Sequence, residues 1–116
     1  MKSILVVEDE VKIRKMYKKL LTEEGFKVLE TSNAVDAYEI LGKKKVDLVV
    51  LDIRMPEIEG NVLYQILNLF HKKNKVLVAS VYPVEVQKRL IPDAADYYDK
   101  SHGLALLLEK IKKILG

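Results

Sequence analysis

The sequence predicts an α/β protein built on a doubly wound, five-stranded parallel sheet in the order 2-1-3-4-5, with five helices covering it. Three observations carry this. Short apolar runs without polar alternation, such as residues 4–7, mark strands buried on both faces. Segments with helical spacing alternate with those runs from end to end, with no linker or repeat between them. Right-handed crossovers then leave few strand orders, and the doubly wound one accommodates five strands and five helices.

The elements follow in order. Residues 4–7 form the first strand. Over 11–24, Ile13, Met16, Tyr17, Leu20 and Leu21 fall on one helical stripe, and Gly25 stops it. Residues 26–30 read as the second strand. Ser32 is the expected N-cap of a helix carrying Ala34, Ala37, Ile40 and Leu41, which ends near Gly42. Residues 46–51 are the clearest buried strand, interrupted only by Asp47. A loop holding Pro56 and Gly60 leads to a helix with Val62, Leu63, Ile66, Leu67 and Phe70 on one face. Residues 76–79 are the fourth strand. Pro83 suits the first turn of a short helix, which should end by Ile91 because Pro92 follows. Residues 95–98 are the fifth strand. An amphipathic helix over 104–115 closes the fold through Leu104, Leu107, Leu108, Ile111 and Leu115.

A chain of 116 residues is the size of one domain, expected over 1–116, and buries about two-thirds of its unfolded surface. The absence of cysteine excludes a disulfide framework, a thiolate metal site and a thiol nucleophile. The apolar run near the start is too short for a signal peptide, and no stretch approaches the roughly 20 apolar residues of a membrane span. A cytoplasmic protein without membrane contact is expected. The net charge of +3 comes from lysines scattered along the expected helices. The densest runs, 43–45 and 72–75, lack the interleaved aromatics or arginines of a nucleic-acid surface, so direct nucleic-acid binding is not expected.

In a sheet of this order, ligands bind beyond the carboxyl ends of the strands, where the order reverses between the first and third. Glu8 and Asp9 end the first strand there, and Asp52 ends the third. Neighbouring strands lie about 4.8 Å apart, so the three carboxylates converge on one small volume. They repel one another unless a cation sits among them, and an all-oxygen site with few protein ligands suits Mg²⁺. Lys100, ending the fifth strand, adds a positive charge. Three carboxylates, one ammonium and one divalent cation sum to neutrality, and such a site can take on a phosphoryl group. Asp9 has a second reading as N-cap of the first helix. Asp52 has no adjacent helix to cap, because Pro56 pushes the next one downstream. Ser80 ends the fourth strand facing the same crevice, with Tyr82 better placed than Ser80 to precede the helix at Pro83.

In this order these residues resemble the receiver domains of bacterial response regulators, a flavodoxin-like family. The matching motifs are Ile-Leu-Val-Val-Glu-Asp-Glu at 4–10, Asp-Leu-Val-Val-Leu-Asp-Ile-Arg-Met-Pro-Glu-Ile-Glu-Gly at 47–60, Val-Leu-Val-Ala-Ser at 76–80 and Ala-Asp-Tyr-Tyr-Asp-Lys at 95–100. The resemblance implies a signalling domain that promotes its own phosphotransfer and dephosphorylation, rather than a conventional enzyme. It implies Asp52 as phosphoacceptor, and Glu8, Asp9, Asp52 and the backbone carbonyl of Arg54 as ligands of Mg²⁺, with Mn²⁺ as a substitute. Lys100 corresponds to the lysine that pairs with the phosphoryl oxygens, Ser80 to the hydroxyl that swings toward them, and Tyr97 to the aromatic turning inward behind it. The implied partners are a sensor histidine kinase or phosphotransfer protein, and a downstream protein or effector domain met by the face around Tyr97 and the helix after Pro83.

Three departures stand out. Ser101 replaces the usual proline of a cis peptide, and a non-proline cis bond costs about 2.5–4 kcal/mol. That leaves the isomer open, with a trans loop and a different aim for Lys100 in view. Val81 stands where Ala or Gly is usual, narrowing the approach to Asp52, and Asp99 adds an acid. Arg54 and Tyr82 flank the path of a hydrolytic water and offer it no carboxylate or amide, so a long-lived phosphorylated form is expected. One alternative is a pseudo-receiver that signals without phosphate. An aspartate-nucleophile phosphatase would need an acid where Arg54 stands, and a nucleotide carrier would need a glycine-rich loop where Glu8, Asp9 and Glu10 stand.

Overall fold

The computed structural model describes residues 1–53 and 75–116. Five strands, β1 Ser3–Val7, β2 Lys27–Thr31, β3 Leu48–Leu51, β4 Lys75–Ser80 and β5 Asp96–Asp99, form one sheet. Its order is β2-β1-β3-β4-β5, with every neighbouring pair parallel. This is the expected order. The described residues also form four helices, α1 Val11–Glu23, α2 Ala34–Lys43, α3 Val84–Leu90 and α4 Leu104–Leu115. The helix expected around Val62 to Phe70, the Pro56–Gly60 loop and Arg54 lie outside the described residues.

The unbroken apolar strands are explained by two cores, one on each face of the sheet. Ile4, Val6, Leu48, Val50, Leu77, Ala79 and Tyr98 pack against Tyr17 and Leu21 of α1 and Leu107 and Ile111 of α4. The alternate residues Leu5, Val7, Val49, Leu51, Val76, Val78 and Tyr97 pack against Ala34, Ala37 and Leu41 of α2. A strand with both faces covered has no polar side to show. Each fully buried Leu, Ile or Val stabilises the fold by about 1.5–3 kcal/mol. Among the described residues, no helix is long and apolar enough to cross a membrane.

Local chemistry moves several boundaries. The α1 terminus closes with Gly25 at φ 91°, Gly25 N–H donating to Thr22 O at 3.0 Å and Phe26 N–H to Leu21 O at 3.1 Å. That paired closure consumes Phe26, so β2 starts at Lys27 and not at Phe26. The N-cap of α2 is Asn33, not Ser32. Asn33 directly precedes Ala34 on extended backbone, its Oδ1 accepts Asp36 N–H at 2.8 Å, and its Nδ2 returns a bond to Asp36 Oδ2 at 3.0 Å. Ser32 stands one residue too early to reach those amides. Asp9 does not cap α1: Glu10 occupies that position without a side-chain bond. Asp47 closes the start of β3 by accepting Ser3 N–H at 2.7 Å.

Candidate functional site at the carboxyl edge of the sheet

The register delivers the acids. Val7 pairs with Leu51 across β1 and β3, so the next residues, Glu8 and Asp52, stand side by side, and Asp52 N–H donates to Val7 O at 3.1 Å. Glu8, Asp9 and Asp52 each offer a carboxylate oxygen, and these oxygens lie within 4.8 Å of one another. Glu8 is 2% exposed and Asp52 4%, whereas Asp9 is open to solvent. Hard oxygen donors at that spacing, two buried and one exposed, fit a divalent cation that keeps part of its water shell.

Lys100 is the counter-charge. Its Nζ donates to Asp52 Oδ2 at 3.0 Å and to Glu8 Oε1. Burial lifts the Glu8 carboxyl to about 7, opposed by the Lys100 hydrogen bond and assisted by the negative charge of Asp52. Burial disfavours the Lys100 ammonium, but the hydrogen bond to Glu8 and the attraction of Asp52 outweigh it and raise its pKa. One ammonium shared between two buried carboxylates leaves the metal-free cluster negative, which is the condition for taking up a cation.

The two residues expected to switch, Ser80 and Tyr97, lie on β4 and β5. Ser80 is buried at the end of β4, and its hydroxyl oxygen accepts Tyr82 N–H at 3.4 Å. Tyr97 is turned inward and buried, with its hydroxyl donating to Ile91 O and accepting Ala94 N–H at 3.3 Å. Lys88 Nζ stands 5.9 Å from the centre of its ring. Val81 and Tyr82 are 49% and 38% exposed. The Lys100–Ser101 peptide is trans, and no cis peptide occurs among the described residues. Lys100 nevertheless reaches both buried carboxylates.

Sequence reasoning missed Gln87. It is fully buried in α3, and its Nε2 donates to Tyr82 O at 2.7 Å, Tyr98 O at 2.9 Å and, more weakly, Ser80 O at 3.4 Å. Three carbonyls around one amide end fix its orientation, because the amide oxygen in that place would be repelled. The signal was present: Gln87 falls at the inward spacing set by Val84 and Ile91.

A doubly wound sheet with three acids at its reversal, and a lysine reaching two of them from the end of its last strand, defines a class of phosphoacceptor signalling domains. The chain belongs to the response regulator receiver domain family, whose model matches residues 4–112. Chemotaxis protein CheY of Treponema pallidum is 34% identical over 97% of this chain and 81% of its own. The probable transcriptional regulatory protein SilR of Salmonella typhimurium is 33% identical over 97% of this chain, which spans about half of that regulator. Among solved structures, the response regulator TrrA of Thermotoga maritima in complex with Mg²⁺–BeF is 37% identical, with a TM-score of 0.85 over 99% of this chain and all of that one. TrrA bound to the histidine kinase ThkA gives a TM-score of 0.86 at 36% identity, with both chains fully covered.

Proposed function

We propose that residues 1–116 act as one receiver unit that accepts a phosphoryl group on Asp52 from a sensor histidine kinase or a phosphotransfer protein. The observation that carries this is the convergence of Glu8, Asp9 and Asp52 within 4.8 Å, with Lys100 at 3.0 Å from Asp52. Mg²⁺, with Mn²⁺ as a substitute, would be held by those three acids and the Arg54 carbonyl, and would offset charge on the transferred oxygens. An Asp52 carboxylate oxygen attacks phosphorus, the phosphorus–nitrogen bond of the donor breaks, and its electron pair leaves on the imidazole. Lys100 releases Glu8 and pairs with the phosphoryl oxygens. The new charge attracts the Ser80 hydroxyl, and that differential attraction shifts a two-state equilibrium felt at Tyr97 and α3. The output is a downstream protein or an effector domain outside this chain, in the cytoplasm, without direct nucleic-acid contact by this unit. The solved complexes of TrrA with Mg²⁺–BeF and with ThkA support the metal and the donor class. Nothing favours a phosphate-independent module.

Incubation with Mg²⁺ and acetyl phosphate, followed by peptide mapping of the added mass, tests the reading. Phosphate on Asp52 is expected. A protein that takes none, or an Asp52→Asn variant that takes a full equivalent, overturns it.

A further inference from the structure

The geometry points to Asp99 and Ser101 as positioning residues for Lys100, replacing with a side-chain staple what a proline would otherwise do at this turn. The inference rests on the phosphoacceptor reading of Asp52. Asp99 Oδ1 accepts two hydrogen bonds from Ser101, one from the backbone N–H at 2.8 Å and one from the hydroxyl at 2.7 Å. This closes a ring around Lys100, with its peptide to Ser101 trans.

The residues on either side are fixed as well. Lys100 N–H donates to Ser80 O at 2.9 Å, and His102 N–H to Asp99 O at 2.9 Å. The buried Tyr98 hydroxyl bonds Gly103 O at 3.0 Å and also His102 O. Lys100 thus leaves a backbone held before, at and after it, and its Nζ meets Asp52 Oδ2 and Glu8 Oε1. A lysine side chain is long and rich in rotamers, and a turn free to rotate would spread its ammonium over a volume far wider than one hydrogen bond. Two of the three departures, Asp99 and Ser101, are the two ends of the staple. An isolated surface turn would explain the bonds but not why they bracket the one residue that must be aimed.

Lys100 pairs with two of the acids expected to hold the cation, so its aim acts in opposite directions on two measurable quantities. Loosening it should slow phosphorylation, because the ammonium no longer meets the phosphoryl oxygens. It should also tighten Mg²⁺, because the ammonium no longer competes for Glu8 and Asp52. A merely structural loss would weaken both.

The test compares the parent with Asp99→Ala, Asp99→Asn and Ser101→Ala, using acetyl phosphate for rate and Mg²⁺ alone for affinity. Asp99→Ala should slow phosphorylation roughly tenfold or more, the scale of a misplaced catalytic group, with Mg²⁺ bound more tightly. Asp99→Asn keeps an acceptor oxygen without the charge and should restore most of the rate, while Ser101→Ala, which keeps the backbone bond, should fall between. Hydrogen exchange at the Ser101 amide should be fast in Asp99→Ala and slow in Asp99→Asn. Equal behaviour of Asn and Ala would assign the effect to charge and overturn the staple, as would a parental rate in Asp99→Ala. If the parent itself accepts no phosphate, the phosphoacceptor reading fails separately. The Mg²⁺ affinities then decide the staple, and equal values in the parent and Asp99→Ala overturn it.

Discussion

Burial of Glu8 beside Asp52 leaves two carboxylates sharing the Lys100 ammonium, and that crowding sets the behaviour of single substitutions. Glu8→Gln keeps the shape and removes one of the crowded charges. It should stabilise the metal-free protein at pH 8 by about 1 kcal/mol or more while weakening Mg²⁺ binding. Denaturant melts with and without Mg²⁺ check both signs, and a loss of stability in the metal-free melt would contradict the electrostatic account. A second expectation concerns lifetime. Val81 and Tyr82 are exposed, on the approach that the sequence pattern assigns to a hydrolytic water. If Arg54 and Tyr82 shield the phosphoryl group, Arg54→Asn with Tyr82→Glu should speed dephosphorylation, and an unchanged rate would end that idea. At this scale the meeting of the acids with Lys100 was legible because parallel strands bring their carboxyl ends to one edge of the sheet. The staple was only half legible. Asp99 and Ser101 stood out singly, but an aspartate with a serine two residues on is also the pattern of an ordinary side-chain turn.

Elements are held by bonds that periodicity cannot see. Gln87 ties α3 to the ends of β4 and β5 through Tyr82 O and Tyr98 O. A Gln87→Met protein fills the same volume but strands buried carbonyls, at about 1–3 kcal/mol for each group left unpaired. Loss of roughly 2 kcal/mol or more in a urea melt is expected, and a neutral result would mean water takes the place of the amide. On the other side of the sheet, Glu30 of β2 meets Lys15, Lys18 and Arg14 of α1 at 2.6, 3.1 and 3.2 Å. The Lys15 hydrogen bond leads in lowering its carboxyl from 4.5 to about 2, against the pull of burial and with help from Lys18 and Arg14. The folded pKa lies below the unfolded one, so this stability is present above about pH 5 and is lost as pH falls toward 2. Both lysines are half exposed, which keeps the contribution near 1 kcal/mol or less. Glu30→Gln should remove that part of the acid slope and leave neutral-pH activity alone. Among the described residues, strand and helix identities were readable from period alone. Their ends were not, because Gly25 and Asn33 place caps by hydrogen bonds that shift a boundary by one residue.

Across the whole molecule, two apolar cores hold the sheet while its carboxyl edge concentrates negative charge, so folding itself assembles the repulsion that a cation relieves. Fold order and family were legible in the sequence because they rest on pattern repeated over the full chain. A ligand that binds the native state alone raises stability by RT ln(1 + [L]/Kd), about 2.7 kcal/mol at a hundredfold excess over Kd. For a domain of this size, that corresponds to a rise of roughly 10 °C in Tm. Millimolar Mg²⁺ should therefore lift the melting temperature, and NaCl at matched ionic strength should not, because screening acts weakly on buried charges. Asp9→Ala gives the cleanest control. Asp9 is exposed and caps no helix, so its loss should leave the metal-free melt nearly unchanged while abolishing the Mg²⁺ shift. If the parent melts at the same temperature with and without Mg²⁺, the three acids do not form a metal site. If Asp9→Ala keeps the full shift, Glu8 and Asp52 bind the ion without it.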